Sequence, residues 1–282
     1  TGTFRGANVN FNTTGEGADD IHSSNGGSDV FVTKYNQDGS YGWTRTFGGN
    51  ATADVSKAIT TDVFGNIYIT GYYSGTDVNF NTTGSGSPDL KTSYNGFGLN
   101  AYILKYNADG SYGWTRTIST TSVSLGTGLR ADSNGNLYTA GYFNGFNTQF
   151  NTTGSGSSDI KSSSNEDVFL IKYNADGSYG WTRTVGGING DYGTSVQVDE
   201  LDNVYFTGYF HSADVNFNST GVGSSDIKGS NGNADIFITK YNADGSYAFT
   251  RTIGGSGYDI PREVAFDNTS NYYVVGTLGS TD

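Results

Sequence analysis

A stretch of thirteen residues occurs four times in this sequence and constrains the fold more than any other feature. "KYNADGSYGWTRT" stands at 105–117 and again, letter for letter, at 172–184. Near-copies, "KYNQDGSYGWTRT" and "KYNADGSYAFTRT", stand at 34–46 and 240–252. Internal similarity at a regular spacing indicates a repeat architecture, and this has to be considered before any local motif.

Two further markers recur with the same period. The first is "NFNTTG" at 10–15 and 79–84, "QFNTTG" at 149–154 and "NFNSTG" at 216–221. The second is "GNIYITGYY" at 65–73, "GNLYTAGYF" at 135–143, "DNVYFTGYF" at 202–210 and "SNYYVVGTL" at 270–278. The Lys that opens the thirteen-residue stretch recurs at spacings of 71, 67 and 68 residues. The chain is therefore read as four repeats of roughly 69 residues.

Each repeat contains the pattern of four short strands. In the second repeat they are 101–107, 111–118, a strand that ends at 128–132, and 136–143. "NADG" joins the first two strands and "DSNGN" the last two, and Gly, Asn and Asp tolerate the left-handed backbone of tight hairpin turns. Strands such as "DVFVTKY" are apolar on both faces, which is typical of a sheet buried on both sides. A propeller blade is such a sheet.

The sequence therefore predicts an all-β protein, a β-propeller in which each repeat supplies a four-stranded antiparallel blade plus a long polar inter-blade loop. We expect one domain over 1–282 with blades at about 29–75, 100–146, 167–213 and 235–280. Residues 1–28 form a leading segment equivalent to the inter-blade loops. Each loop keeps an Asp-Ile/Leu-Lys element or a relative of it at its middle, which indicates an ordered excursion on one rim.

The two ends of the sequence stand at the same phase of the repeat. "GTFRGAN" at 2–8 aligns with "GTLGSTD" at 276–282. A closed four-bladed ring, an excerpt from a longer array, and a subunit whose ends meet those of its neighbours all fit this match. The sequence begins without Met or a signal-peptide pattern, so we interpret it as a processed chain, which is compatible with secretion.

Charge and composition exclude several kinds of partner. The net charge is −12, from 15 basic and 27 acidic residues, and such a surface repels nucleic acid and anionic lipid. No apolar run approaches the ~20 residues of a membrane helix. Cys is absent, so disulfides, thiol nucleophiles and thiolate metal sites are excluded. We expect neither nucleic-acid binding nor direct membrane insertion.

The order of motifs resembles the SBBP-type β-propeller repeats of bacterial and archaeal surface and secreted proteins. "DVFVTKYNQDGSYGWTRTFGG" at 29–49 and "GNIYITGYYSGTDVNF" at 65–80 carry the resemblance best, and it extends over the whole chain. It implies a propeller fold and an extracellular or cell-surface location, in a family without a shared catalytic activity. Two features depart from the pattern: "NFNTTG" stands where many relatives have Asp-Phe-Asp-Pro-Gly, and the second repeat lacks Gly-Gly.

The repeat pattern argues against a sialidase-like or other glycosidase activity. A sialidase would need an arginine cluster that holds a carboxylate, together with acid and nucleophile groups. The arginines that recur are repeat equivalents, so they belong to different blades: Arg45, Arg116, Arg183 and Arg251. Such an enzyme is therefore the most remote alternative.

Unique residues in a repeated background are where a single active site would show. The four glutamates are not repeat equivalents of one another, and each stands in or beside a polar turn or loop: Glu16, Glu166, Glu200 and Glu263. The two histidines are His22, which stands at a position that is Lys in the other repeats, and His211. Neither accompanies a nucleophile motif. We predict no catalytic residue, no cofactor-binding residue and no metal ligand among these side chains.

The sequence leaves two questions about the rim loops open, calcium binding and N-glycosylation. Oxygen-rich loops such as "GTDVNFNTTGSGSPD" at 75–89 could hold a structural Ca²⁺. Six Asn-x-Ser/Thr sequons are candidate N-glycosylation sites, of which the first four below are repeat equivalents and would crowd onto one rim. They are Asn12, Asn81, Asn151, Asn218, Asn50 and Asn268.

The near-identity of the repeats predicts a non-catalytic structural or adhesive protein, and the resemblance implies an extracellular or cell-surface location for it. The repeating subunit of a filament or surface array is one form of this prediction. The alternative is a carbohydrate-binding, lectin-like propeller. Its aromatic pairs could stack on sugar rings if exposed: Tyr72-Tyr73, Tyr142-Phe143 and Tyr209-Phe210. The expected partners are other copies of the chain or surface glycans.

Overall fold

The computed structural model describes residues 1–50, 54–267 and 271–280, which form 25 β-strands and one 3₁₀ turn at Tyr94–Gly96. Within these residues no helix is both long and apolar enough to cross a bilayer.

The first thirteen strands are β1 (Gly2–Phe4), β2 (Val9–Asn10), β3 (Ile21–His22), β4 (Asp29–Tyr35), β5 (Tyr41–Phe47), β6 (Val55–Thr61), β7 (Ile67–Tyr73), β8 (Val78–Asn79), β9 (Leu90–Lys91), β10 (Asn100–Tyr106), β11 (Tyr112–Ile118), β12 (Val123–Ala131) and β13 (Leu137–Asn144). They are followed by β14 (Thr148–Gln149), β15 (Ile160–Lys161), β16 (Asp167–Tyr173), β17 (Tyr179–Val185), β18 (Asp191–Val198), β19 (Val204–Phe210), β20 (Val215–Asn216), β21 (Ile227–Lys228), β22 (Asp235–Tyr241), β23 (Tyr247–Ile253), β24 (Asp259–Phe266) and β25 (Tyr272–Leu278).

The long strands of the described residues form five antiparallel sheets. Sheet I has the order β1-β4-β5, sheet II β6-β7-β10-β11, sheet III β12-β13-β16-β17, sheet IV β18-β19-β22-β23, and sheet V β24-β25. The two-residue strands pair as small ladders, β2-β3, β8-β9, β14-β15 and β20-β21. These ladders are the ordered rim excursions that the Asp-Ile/Leu-Lys pattern predicts.

The sheets are offset by half a repeat from the predicted blades. Sheet II joins the third and fourth strands of one repeat to the first two strands of the next, because β7 pairs with β10 along seven residues from Ile67↔Tyr106 to Tyr73↔Asn100. The blade limits 29–75, 100–146, 167–213 and 235–280 therefore each divide between two sheets. The long polar loop lies within a sheet, where it links β7 to β10 through the β8-β9 ladder, and does not connect two blades.

The hydrophobic core lies between consecutive sheets. Phe47 of sheet I packs against Tyr102 of sheet II and against Phe80, with ring centroids 5.2 and 4.8 Å apart. Sheets II and III, III and IV, and IV and V each enclose a further apolar cluster. Val168 and Phe169, neighbours on opposite faces of β16, are both fully buried, as expected of a strand covered on both sides. Burial of such a side chain is worth roughly 1.5–3 kcal/mol.

The first strands of sheets II to V, here called the inner strands, surround a common cavity. β6, β12, β18 and β24 contact one another in sequence, and all four contribute to the walls of a cavity of about 450 Å³. Sheets that pack face to face around a shared axis define a β-propeller-type fold. The all-β fold class and the tandem-repeat organisation are thus confirmed.

The two terminal sheets are incomplete in the described residues. In sheet I, β1 pairs with β4 through Gly2↔Phe31 and Phe4↔Asp29, the register that Gly208–Phe210 has with β22 in sheet IV. Sheet V contains only β24 and β25, and no strand pair in the described chain joins sheet V to sheet I. The closed four-bladed ring thus stays a prediction.

Candidate functional site

The thirteen-residue stretch forms the outer hairpin of each sheet, and its Trp packs on the next sheet. The indole of Trp43 lies against the turn glycine Gly110, where an added Cβ would come within 2.8 Å of the ring. It also contacts Tyr106, with centroids 6.1 Å apart. Gly110 has a φ of 82°, a left-handed conformation that favours glycine. Trp114 packs in the same way on Gly177. The Asp-Gly turn therefore both closes its own hairpin and forms the surface on which a Trp of the neighbouring sheet packs.

The Arg two residues after each Trp completes the contact. The guanidinium of Arg45 lies 5.1 Å from the centroid of Trp43, and its Nε donates to the carbonyl oxygen of Gly110 at 3.3 Å. Arg116 donates from Nη2 to Gly177 O at 3.1 Å. We call this set, an aromatic ring and an Arg on the neighbouring Asp-Gly turn, the clamp. Since each Arg lies in a different sheet, the four do not form the carboxylate-binding cluster of a sialidase.

A lysine and a tyrosine on adjacent strands accompany each clamp. Lys105 lies opposite Tyr68 in the β10-β7 pairing, with its Nζ 5.6 Å from the ring centroid. Equivalent pairs, Lys172 over Tyr138 and Lys240 over Tyr205, have distances of 5.4 and 5.1 Å. Cation–π contacts of this kind contribute roughly 0.5–1 kcal/mol at exposed sites. They join the two halves of a sheet that come from different repeats.

Both terminal sheets carry half of these contacts. Sheet I presents Lys34, Tyr35 and Gly39, here called the head surface. Tyr35 is 52% exposed, although its repeat equivalent Tyr106 is fully buried. Around the Cβ position of Gly39, no atom beyond its chain neighbours lies within 4 Å in the described residues. The head surface therefore has the turn and the Lys of the contact, but among the described residues no ring from another sheet packs on the turn.

Sheet V and the last hairpin present the complementary half, here called the tail surface: Phe249, Arg251 and Tyr273. Arg251 lies 4.9 Å from the ring centroid of Phe249, as in every clamp. In the described residues no Asp-Gly turn packs on this pair. Tyr273, the equivalent of Tyr68, is 61% exposed, whereas Tyr68 is 1% exposed. The tail surface has the ring and the Arg that the head surface lacks.

The cavity between the inner strands is a second candidate site. Each inner strand has a β-bulge at the same repeat position, between Ser56 and Ala58 in β6 and at equivalent places in the other three described strands. The extra residues line the cavity: Lys57, Thr127, Thr194 and Arg262. A bulge re-aims a side chain out of the regular pleat. Here it turns four side chains toward one axis.

Neither Lys57 nor Arg262 has an ion-pair partner among the residues that the structure describes. The Nζ of Lys57 lies 5.9 Å from the centroid of Tyr72. The two threonines are fixed by the backbone: Thr127 Oγ1 donates to Gly193 O at 2.8 Å, and Thr194 Oγ1 donates to Thr207 O at 3.2 Å. The cavity therefore combines two available positive charges with two oriented hydroxyl groups.

Three tyrosines form one wall of the same cavity. Tyr192 stacks on Tyr209 with centroids 4.9 Å apart and meets Tyr142 edge-on at 4.9 Å. The Tyr192 hydroxyl donates to Glu166 Oε2 at 3.3 Å. Burial and then the Glu166 charge raise the pKa of Tyr192 to about 12, so the phenol stays neutral. His211 packs edge-on against Tyr192 and Tyr209.

The aromatic pairs singled out in the sequence divide between core and cavity. The second member of each pair is fully buried between sheets: Tyr73, Phe143 and Phe210. The first members are half-buried, and Tyr142 and Tyr209 line the cavity while Tyr72 lies beneath Lys57. Stacking on a ligand is therefore restricted to the first members. Strand alternation carries this signal, since neighbouring residues point to opposite faces.

Buried aspartate pairs, which no sequence motif indicated, lie where a strand of one sheet meets an inner strand. Asp29 and Asp54 form one such pair. The Gly49 N–H donates to Asp54 Oδ2 at 2.8 Å, and a Cβ on Gly48 would overlap the Asp29 carboxylate. The second repeat has Asn100 and Ser124 in place of the two acids. The second repeat thus lacks both the Gly-Gly dipeptide and the two carboxylates, whereas the other repeats have all of them. This joint loss is a sequence signal that could have indicated the aspartate pairs.

Burial shifts the titration of these acids. It raises the pKa of Asp54 to about 6. Burial, and then the charges of Asp191 and Glu166, raise the pKa of Asp167 to about 7. The Oδ1 atoms of Asp29, Asp167 and Asp235 are buried without a hydrogen-bond partner in the described residues. Asp54 and Asp167 therefore stay protonated at pH values where an ordinary Asp is ionised, whereas the hydrogen bond from Ser280 lowers the pKa of Asp259 in the last pair.

The rim loops contain a repeated polar network. In the second repeat the Lys91 ammonium lies 2.7 Å from Asp89 Oδ1, and the Tyr112 hydroxyl donates to the other oxygen of Asp89. In the first repeat His22 takes the place of the Lys, with Nε2 2.9 Å from Asp20 Oδ1. His22 thus lies in a repeated structural position.

The four equivalent sequons have an internal structural role. Asn81 is 8% exposed, and its Nδ2 donates to the carbonyl oxygens of Ser85 and Ser87 at 2.9 and 2.8 Å. The same two bonds recur at Asn12, Asn151 and Asn218. A glycan would be attached at this nitrogen, so the geometry argues against modification there. Asn50 is exposed. The other two residues of its sequon, 51 and 52, lie outside the described residues, and so does Asn268.

The glutamates are dispersed. Glu263 accepts from Ser195 Oγ at 2.5 Å and from Gln197 Nε2 at 3.3 Å, whereas Glu166 lies by Tyr192. Glu16 and Glu200 are exposed. In residues 1–50, 54–267 and 271–280, no group of three or more His, Asp or Glu side chains could hold a metal ion.

Comparison with known proteins adds one relative. No family model matches the sequence. The sequence is 28% identical to an uncharacterized WD repeat-containing protein of Acanthamoeba polyphaga mimivirus, in an alignment of 191 positions that covers 61% of this chain. The matched part is 14% of that relative's length. The similarity agrees with the propeller-type repeat fold described above.

Proposed function

We propose that this chain is a non-catalytic structural module of the SBBP-type propeller class, extracellular or at the cell surface, whose copies join end to end. One observation carries the proposal: the head and tail surfaces are the two halves of a contact that the chain makes three times internally, at Gly110, Gly177 and Gly245. A surface that fits a repeat of this sequence also fits a second copy of the chain.

The contacts of the joined form follow from the internal ones. Phe249 and Arg251 of one copy pack on Gly39 of the next, as Trp43 and Arg45 pack on Gly110. The edge of β25 pairs with β4. In the register of sheet IV, where Tyr205 lies opposite Lys240, Tyr273 lies opposite Lys34 and supplies the missing cation–π contact.

This junction requires β1 to leave the edge of β4. β1 contributes three paired residues, whereas β19 pairs with β22 over seven, so the exchange gains ladder contacts. Tyr273, Val275 and Leu278 are each more than 60% exposed. Burial of a large apolar side chain contributes roughly 1.5–3 kcal/mol, which favours the joined form.

Charge sets the conditions for the junction. A net charge of −12 on each copy gives a repulsion that salt screens within about 10 Å at 0.1 M ionic strength. We therefore expect salt to strengthen the association. The acidic, Ser/Thr/Asn-rich rims would face solvent, which suits an adhesive or structural surface array.

The absence of a catalytic role is supported by the symmetry of the repeats. Of the residues in the thirteen-residue stretch that would carry chemistry, the Trp and Arg are occupied in contacts between sheets. The Asp accepts hydrogen bonds from the Ser of its own turn. The similarity to a WD repeat-containing protein agrees with a scaffold role.

Light scattering tests the proposal. The molar mass of the chain should rise with concentration and with salt above the 29.9 kDa of a single copy. Tyr273→Lys places a second cation opposite Lys34 and should return the mass to one copy. Phe97→Lys alters a side chain that is 86% exposed and outside both surfaces, and should leave association unchanged. A single-copy mass at all concentrations and salt levels would overturn the proposal.

A further inference from the structure

The cavity between the inner strands carries an inference that does not depend on end-to-end association. We propose that this cavity binds a sugar bearing a carboxylate, such as a hexuronic acid. The inference rests on one juxtaposition: Lys57 and Arg262, on the first and last inner strands, line the same cavity as Tyr142, Tyr192 and Tyr209.

The positive charges select an anion. Lys57 and Arg262 are both exposed and have no ion-pair partner in the described part of the chain. They contrast with a net charge of −12, so the cavity is a local exception in an acidic molecule. A guanidinium matches a carboxylate through two parallel hydrogen bonds, which identifies Arg262 as the residue that fixes the acid group, with Lys57 across the cavity.

One acid, Glu166, contacts the tyrosine wall. Glu166 accepts hydrogen bonds from the Tyr192 hydroxyl at 3.3 Å and from Asn144 Nδ2 at 3.5 Å. These bonds place one negative charge at the tyrosine wall, against the two positive charges of Lys57 and Arg262 that line the cavity. Burial raises the pKa of the Tyr209 phenol, the charge of Arg262 lowers it, and the charge of Glu166 raises it. This places a cation beside the tyrosine wall.

The tyrosines select a ring with an apolar face. Half-buried phenols offer both a flat apolar surface and a hydroxyl group, and a pyranose has a face of C–H groups and a rim of hydroxyls. Thr194 adds an oxygen whose own proton is donated to Thr207 O, so it can accept from a sugar hydroxyl. A volume of about 450 Å³ lies in the range of small-ligand cavities. A polyanion such as nucleic acid would be repelled by the surrounding acidic surface.

Titration calorimetry and ligand-observed NMR on the full chain test the site with three probes: D-glucuronate, D-glucose and acetate. Glucuronate has both the ring and the acid, and each of the others has one. We expect glucuronate to bind at least tenfold more tightly than either glucose or acetate. Arg262→Gln and Lys57→Gln should each weaken glucuronate binding at least fivefold, and Tyr209→Leu should do the same through the lost ring contact.

A matched control separates the site from the net charge. Arg130→Gln removes the same charge from an exposed side chain that lines a different cavity, and should leave glucuronate binding unchanged. Circular dichroism checks that each variant is folded. The proposal is overturned if glucuronate does not bind, if glucose or acetate binds as tightly as glucuronate, or if Arg130→Gln weakens binding as much as Arg262→Gln.

Discussion

Arg45 donates from Nε to the carbonyl oxygen of Gly110, 65 residues away in the next sheet, while its guanidinium covers the indole of Trp43. This relationship explains why a Trp, an Arg and an Asp-Gly turn are kept together in one thirteen-residue stretch. The stretch forms one hairpin, but its parts act on two neighbours: the Trp and Arg on the following sheet, and the turn on the preceding one.

A clamp between two internal sheets should contribute more to stability than the incomplete clamp at the tail surface. Trp114→Ala removes a ring that packs on Gly177 and Tyr173, and we expect a loss of about 2–4 kcal/mol in the free energy of unfolding. Phe249→Ala at the open tail should cost about half as much in the single copy. Trp114→Phe should be tolerated, because the fourth repeat has Phe at this position. Urea unfolding curves at low protein concentration measure all three, and equal losses for both Ala variants would contradict the clamp.

Two turn glycines separate backbone strain from packing. Gly39 and Gly177 have φ values of 82° and 80°, so Ala costs each about 1–2 kcal/mol in backbone energy. At Gly177 the new Cβ would also come within 2.6 Å of the Trp114 indole, while the site at Gly39 is open in the described residues. Gly177→Ala should therefore destabilise the protein more than Gly39→Ala in denaturant titrations. Identical losses would show that the indole does not dock on the turn.

The free energy of unfolding should fall as pH rises from about 4 to about 7. Unfolded Asp titrates near 3.9, whereas the folded pKa values are about 6 for Asp54 and about 7 for Asp167. Between these values the folded chain binds more protons than the unfolded chain, so stability is greatest at the acid end and decreases with pH. In the turn, hydrogen bonds from Ser111 lower the pKa of Asp109. The titration of Asp109 therefore changes stability only at pH values below this window.

Asp167→Asn isolates the pair that should contribute most to this slope. Asn is the residue at the equivalent position 100, so the substitution fits the fold. It should flatten the decline of stability between about pH 4 and pH 7 and raise stability at neutral pH. Unfolding titrations across this range measure the slope for both chains. A slope that is unchanged by Asp167→Asn would mean that the carboxyl group titrates normally in the folded state.

The rim asparagines should act as structural donors. Asn81→Asp keeps the shape but replaces an NH₂ group that serves two carbonyl oxygens with an acceptor, and we expect a loss of roughly 1–3 kcal/mol. Asn50→Asp changes an exposed sequon asparagine and should be nearly neutral. Thermal unfolding compares the two variants. Equal stability of both, or a glycan found on Asn81 by mass spectrometry of the folded protein, would refute the internal role.

Local structure could be predicted from the sequence, and long-range pairing could not. The "NADG" and "DSNGN" turns define two hairpins per repeat, and both are present. The partner of β7 across the long loop is β10, through a seven-residue register that no turn residue encodes. The sheets consequently run out of phase with the repeats. The two cations of the cavity were also not predicted, because Lys57 and Arg262 reach the cavity through bulges that do not alter the apolar pattern.

The most direct test of end-to-end association uses the natural absence of cysteine. Lys34→Cys and Tyr273→Cys are made in separate chains, mixed, and oxidised. We expect a disulfide-linked dimer that forms only in the mixture, and that does not form when Phe97→Cys replaces Tyr273→Cys. A chain carrying both substitutions should then give a ladder of linked multimers. Linkage of that double variant only within single chains, with no linked dimer in the mixture, would contradict end-to-end joining and indicate a ring closed by one copy.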